Sequence, residues 1–301
     1  MKSNETVSLS KLHEADRILV TAHRGDSLEF PENTLLSMEK AVEAGADFIE
    51  FDLRATKENI PILLHDTTLN RTADAEGRPE ERTLAEIKSL NASWFRHMHR
   101  MDAPLPEKVE IPTFEEVLAA CSGKVAMNIQ IYLPSPAALA EACRLYRKYD
   151  MYDRGYLTIE DEKVIEAVRA IDRDIAICFT PGWLERADEA NLRRCAELGC
   201  RFFQPVRETL TVEKLELARS LGLRANAFYA DTEIDFEFLL GVGCPGIMTN
   251  APARLVNWLG LIGNGCPENV WQPNMVGPDR RAGRSAIGPY RKAAKQKKKP
   301  L

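Results

Sequence analysis

The sequence predicts an α/β fold of the TIM (β/α)8 barrel type, on three observations. From residue 17 onward, short apolar runs alternate with helix-like segments, the pattern of a parallel sheet. With one hairpin arm set aside, eight strands each lead into a helix, and eight units over roughly 260 residues match the size of such a barrel. No Gly-rich dinucleotide fingerprint follows the first strand, which disfavours the alternative, an open doubly wound sheet.

Residues 1–16 form a lead-in with one helical turn. The run 17–22 (R-I-L-V-T-A) suits a buried parallel strand. It ends at His23-Arg24-Gly25, where glycine permits a sharp turn. Pro31-Glu32-Asn33-Thr34 opens a helix through residue 44, with Asn33 or Thr34 as N-cap and Gly45 as a left-handed C-terminal cap. Residues 47–53 make the second strand. The run 60–64 follows too soon for a parallel neighbour, so it returns as a hairpin. Folding about residue 58 sets His65 level with Phe51, beside Glu50 and Asp52. Residues 66–112 are charged and lack periodicity apart from a short helix at 84–90, which marks an insertion over the barrel mouth.

The alternation then resumes, with strands at 125–131, 155–159, 175–179, 201–204, 223–228 and 246–249. Helices are expected at 114–121, 136–149, 162–171, 184–198, 212–221, 233–242 and 252–261. The domain therefore spans 17–262, and 263–301 is an irregular basic tail, disordered from about residue 275.

Composition bounds the partners. The chain is 45% hydrophobic and 28% charged, as in soluble globular proteins. No run approaches the ~18–20 apolar residues of a transmembrane segment, and the first residues lack the apolar stretch of a secretory signal. Seven scattered cysteines without CxxC spacing point to reduced thiols in a cytoplasm and away from structural zinc. Residues 280–301 hold nine Lys/Arg and no acid; the rest carries 31 basic against 45 acidic groups, a balance of −14. So acidic a body argues against nucleic-acid binding by the folded domain. The basic tail is a candidate contact for anionic surfaces, lipid or RNA.

Chemistry concentrates in the first strands. Side chains alternate on a strand, so Phe48, Glu50 and Asp52 share one face. Two carboxylates cannot remain ionised and unpaired in a dry core. At the C-terminal end of a barrel strand they face the mouth, where active sites lie. Spaced i, i+2, they can hold one hard divalent cation, or else pair with Arg24 or Arg54. His23 ends the first strand and His65 ends the hairpin arm; two imidazoles can divide base and acid duties near neutral pH. The Arg24 guanidinium suits phosphate oxygens. His97 and His99, within the charged insertion, read as solvated surface, and His13 is uninformative.

The elements H-R-G, P-E-N-T, E-x-D, T-K-x-x-x-P and H-D-x-x-L-x-R-T, in this order, resemble the glycerophosphodiester phosphodiesterase family. The similarity continues through Ile111-Pro112-Thr113-Phe114 to Gly246-Ile247-Met248-Thr249-Asn250-Ala251-Pro252 and covers residues 17–262. The resemblance implies a TIM barrel with an insertion after the H-D motif and metal-dependent hydrolysis of a small glycerophosphodiester to glycerol 3-phosphate and an alcohol. It further implies Glu50 and Asp52 as ligands to Mg²⁺ or Ca²⁺, His23 and His65 as the acid/base pair, and Arg24 on the phosphate.

One motif departs. Where the family carries E-x-K on the third strand, this chain reads Gln130-Ile131-Tyr132. Gln130 can offer the metal a carbonyl oxygen without charge, and Tyr132 can donate to phosphate but carries no cation. One negative and one positive charge vanish together, leaving the net charge unaltered. Phe228 stands where the family often has tryptophan, as a candidate pocket residue, and Asn250 where it often has aspartate. The same departures support an alternative, a non-catalytic or altered-specificity relative that binds a phosphorylated ligand. An altered specificity for lysolipids would need an apolar groove at the mouth.

Overall fold

The structure, a computed structural model, describes residues 7–96 and 99–265. His97 and the basic tail lie outside the described residues. The chain folds as the expected TIM barrel. Helix α1 (Leu9–His13) precedes β1 (Leu19–His23), α2 (Leu35–Glu43) and β2 (Phe48–Ala55). The antiparallel arm β3 (Pro61–Leu63) comes next, followed by the insertion with α3 (Leu84–Ser89) and the small strands β4 (Phe95–Arg96) and β5 (His99–Arg100). Then follow α4 (Phe114–Cys121), β6 (Ala126–Ile131), α5 (Pro136–Lys148), β7 (Gly155–Ile159), α6 (Glu162–Ile171), β8 (Ile177–Phe179) and α7 (Glu189–Glu197). The last units are β9 (Phe202–Phe203), α8 (Val212–Ser220), β10 (Arg224–Ala225), α9 (Glu233–Gly241), β11 (Gly246–Thr249) and α10 (Pro252–Gly265).

The parallel order is β11-β1-β2-β6-β7-β8, and β9 pairs with β10. Single parallel bridges, Val206 to Phe228 and Ala227 to Ile247, carry the ring from β9 through β10 to β11. Among the described residues no ladder joins β8 to β9, so the ring is hydrogen-bonded everywhere but at this seam. The strands expected at 201–204 and 223–228 shorten beside Pro205, which has no N–H to donate. The helix expected from 184 starts only at Glu189; Arg186 holds the preceding loop by donating to Gly182 O (2.9 Å) and Glu160 Oε1 (3.0 Å).

Alternation sorts the barrel. Outward residues such as Val20, Ile49, Phe51, Leu53, Met127, Ile129 and Leu157 pack under the helices. Inward, Leu19, Phe48, Ala126, Tyr156, Cys178 and Phe202 form an apolar floor, stoppered by Leu9 of α1, which is fully buried. Above the floor lies a polar layer in which Thr158 Oγ1 bonds Asn128 Oδ1, and Asn128 Nδ2 donates to Gln204 Oε1 at 2.9 Å. The charged residues stand above that, at the strands' C-terminal ends. The insertion builds a separate small core, with Leu69, Ala73, Ile87 and Ala92 against Ile62 and Leu64 of the arm.

Candidate active site

The turn after β1 is built for one backbone path. Arg24 and Gly25 are both left-handed, φ 57° and 81°. A Cβ on Gly25 would lie 2.6 Å from the Ser37 carbonyl carbon, so only glycine lets α2 pack this close. Thr34 caps α2 in a reciprocal box with Ser37. Asn33, itself at φ 56°, donates from Nδ2 to Asp52 Oδ2 at 2.9 Å. The P-E-N-T stretch therefore reaches from the helix start onto the second strand.

The hairpin register is the expected one. Leu53 pairs with Leu63 and Ala55 with Pro61, and Leu64 N–H donates to Asp52 O at 3.0 Å. His65 thus emerges beside Asp52. Across β2, Glu50 is in register with His23 and Asn128, and Asp52 with Gln130. His23 Nε2 lies 3.9 Å from Glu50 Oε2, and His23 Nδ1 lies 2.7 Å from Asn250 Oδ1. His65 Nδ1 bonds Asp66 Oδ1 at 2.7 Å, and the ring stands edge-on to Tyr132, centroids 5.7 Å apart. Tyr132 also carries the Arg54 guanidinium 5.3 Å over its ring. Phe228 meets the His23 ring edge-on at 5.1 Å and is met in turn by Trp183 at 5.3 Å. Trp183 and Leu184 are about half exposed, so an apolar rim continues outward from Phe228. All eight site residues expected from the sequence converge on the barrel's C-terminal mouth; His13, bonded to Gly222 O, lies apart from them.

An ion-pair network surrounds them. Arg24 N–H donates to Glu50 Oε2 (3.0 Å), its Nη1 donates to Glu32 Oε1 (2.9 Å), and its Nε lies 3.1 Å from Asp52 Oδ2. Arg71 from the insertion forks onto Glu32 at 2.7 Å through both Nη atoms and also grips Asp66. Glu32, Asp66 and Arg71 have no role in the sequence analysis, and Asn33 only a capping one, although the signal lies within the P-E-N-T and H-D-x-x-L-x-R-T elements.

These contacts set the protonation states. Burial works to raise Glu32, but Arg24 and Arg71 outweigh it and hold its carboxyl at about 2. Burial likewise opposes ionisation of Asp52, yet Arg24, His65 and Asn33 keep it below the usual carboxylate range. Glu50 goes the other way: burial and the adjacent Asp52 charge push it well above its ordinary value, despite Arg24. Burial, aided by the Arg24 charge, lowers His23 to about 3, so its imidazole is neutral at pH 7. Burial and Asp52 raise the Tyr132 phenol, leaving it a hydrogen-bond donor. Gln130 is buried, and its Nε2 has no hydrogen-bond partner.

Comparisons with known proteins identify the family. The model of the glycerophosphoryl diester phosphodiesterase family matches residues 23–254. Glycerophosphodiester phosphodiesterase of Bacillus subtilis is 32% identical over 261 residues, covering 81% of this chain and 87% of that protein. Its counterpart in Caldanaerobacter subterraneus is 28% identical over 250 residues, covering 80% and 97%. Two solved structures share the fold. An Oleispira antarctica phosphodiesterase in complex with the product sn-glycerol-3-phosphate superposes with a TM-score of 0.70 at 22% identity, over 82% of this chain and 98% of that one. Glycerophosphodiester phosphodiesterase of Thermotoga maritima gives 0.65 at 19% identity, over 81% and 99%. The chain accordingly belongs to the glycerophosphoryl diester phosphodiesterase family and is a phosphoric diester hydrolase.

Proposed function

We propose that the protein hydrolyses glycerophosphodiesters to glycerol 3-phosphate and an alcohol, with His23 and His65 as the acid/base pair and Mg²⁺ or Ca²⁺ as cofactor. The carrying observation is that His23 Nε2 faces Glu50 at 3.9 Å while His65 flanks Asp52, so two imidazoles border one carboxylate pair. Neutral His23 takes a proton from the attacking water as the new P–O bond forms, so that the water oxygen ends on glycerol 3-phosphate. His65, whose Nδ1 is held by Asp66, gives a proton to the departing alkoxide as the old P–O bond breaks. Arg24 and the Tyr132 hydroxyl hold phosphoryl oxygens, and Phe228 lines the alcohol side.

Chemistry at the carboxylates supports a cation. Among the described residues Glu32, Glu50, Asp52 and Asp66 share two permanent cations in ion-pair contact, Arg24 and Arg71, with His23 and His65 beside them as cations only when protonated. Burial with the Asp52 charge still holds Glu50 above its ordinary value. Among the described residues no three His, Cys, Asp or Glu form a ready cation site. Glu50 and Asp52, with the Gln130 carbonyl oxygen after an amide turn, would hold the ion, leaving other positions to substrate and water. When bound, it neutralises phosphoryl charge.

Among the described residues no helix is long and apolar enough to cross a membrane. The six cysteines described there are buried and unpaired, in keeping with a cytoplasmic setting. The deciding experiment is phosphorus NMR of the protein with a panel of glycerophosphodiesters, with each metal and with chelator, beside His23→Ala. Metal-dependent release of glycerol 3-phosphate, lost in the variant, is expected. A silent panel with a folded protein favours the ligand-binding reading that the uncharged Gln130 and Tyr132 support. Gln130→Glu with Tyr132→Lys then tests whether turnover is restored.

A further inference from the structure

Behind His23 stands a polar pair that the reaction scheme leaves unused. Asn250, wholly buried after β11, donates from Nδ2 to Asp231 Oδ2 at 2.7 Å and from its backbone N–H to Asp231 Oδ1 at 2.7 Å. Thr249 Oγ1 fixes the same carboxylate at 3.1 Å. A carboxylate only accepts, so the NH₂ end of the Asn250 amide must face Asp231 and its oxygen must face His23. The Ser27 hydroxyl lies 3.0 Å from Asn250 Oδ1 and 2.7 Å from His23 O; with one hydrogen to give, it leaves the orientation to Asp231. The opposite flip would set an amide oxygen against the Asp231 carboxylate. An amide oxygen also only accepts, so the contact of 2.7 Å to His23 requires a hydrogen on Nδ1. The lone pair is then on Nε2, the nitrogen that faces Glu50.

We propose that Asp231, acting through Asn250, is a positioning pair that holds His23 in its Nδ1–H tautomer with Nε2 as the proton acceptor. An aspartate at position 250 would impose the same tautomer but press its charge against the ring. The amide imposes it without charge, and the anchoring carboxylate stands one hydrogen bond further back. The proposal rests on His23 as the proton-transfer residue, yet the tautomer can be read without activity.

The test is long-range ¹H–¹⁵N correlation NMR of the full chain labelled at histidine, with His23→Ala to assign the ring. The wild type should give the Nδ1–H pattern; an Nε2–H pattern there overturns the proposal, whatever the variants do. In Asp231→Asn the Asn250 amide is released to rotate, so the pattern should move toward Nε2–H, with kcat reduced about 100-fold or more and KM little changed. Transposing the groups, Asn250→Asp with Asp231→Asn, puts a carboxylate directly on Nδ1 and should restore both the pattern and most of the turnover. An Nδ1–H pattern that survives in Asp231→Asn refutes the relay. An Nδ1–H wild type with no phosphodiesterase activity would uphold the relay and reject the function, so the two failures are distinguishable.

Discussion

Glu32 is paired with two guanidiniums, and replacing it with glutamine isolates what that pairing is worth. Its side chain is 2% exposed and accepts from Arg24 and from both Nη atoms of Arg71. Its carboxyl is held at about 2, against 4.5 ordinarily, because the two guanidiniums overcome the cost of burial. That gap corresponds to about 3 kcal/mol of native-state stabilisation. The depressed value fixes the sign. Between pH 4.5 and 2 the unfolded chain binds the proton more readily, so the contribution is complete above 4.5 and is lost as pH falls toward 2. At pH 3 about 1.4 kcal/mol should remain. Glu32→Gln preserves shape and removes charge, so urea unfolding at pH 7 should show a loss of about 3 kcal/mol that shrinks by about half at pH 3. A gap that does not change with pH, or one below about 0.5 kcal/mol at pH 7, would refute the electrostatic account.

Three further outcomes follow from the geometry. Gly25→Ala combines a left-handed backbone with a Cβ 2.6 Å from the Ser37 carbonyl carbon, and should cost about 3 kcal/mol or more by denaturant titration. Leu9→Ala opens a cavity in the barrel floor and should cost about 3 kcal/mol, read as a lowered Tm, with turnover at moderate temperature preserved. Glu50, pushed above its ordinary value, binds its proton more tightly in the native state, so stability without cation falls as pH rises above 4.5. The rise in Tm with saturating Mg²⁺ or Ca²⁺ should therefore grow from pH 5 to pH 8 and stop growing in Glu50→Gln; equal increments at both pH values in the wild type contradict this.

Local chemistry made part of the site legible in the sequence. The period of two on β2 put Glu50 and Asp52 on one face, and the short spacing to residue 60 forced a hairpin whose register brought His65 to Asp52. Glycine after His23-Arg24 marked the turn. Less visible was anything depending on elements far apart in the chain. Arg71 meets Glu32 across 39 positions and Asn250 meets His23 across 227, and no spacing rule connects such pairs. Nothing local marks Leu9 as core, because its partners Phe48, Tyr156 and Phe202 come together only when the ring closes. Residues 184–188 carry a helical pattern but form a loop, because Arg186 is held by Gly182 O within that loop and by Glu160 of the loop after β7, a partner no local pattern reveals.

The seam between β8 and β9 makes the barrel mechanically unequal around its circumference. Elsewhere backbone hydrogen bonds, as ladders or as the single bridge between β10 and β11, fix the distance between strands. Here, among the described residues, two strand edges face each other without stitching, and Phe202 of β9 reaches past β8 into the floor, stacking on Tyr156 of β7 at 5.2 Å and meeting Phe48 of β2 at 5.5 Å. Helix α7 bridges the opening outside, with the Cys195 thiol against Phe179 O. The girth of the ring at this point is thus set by side-chain volume rather than by peptide geometry. Drift in the size of a few interior residues can therefore widen or narrow this flank, below the Trp183 loop, while β1 and β2 on the opposite arc keep their register.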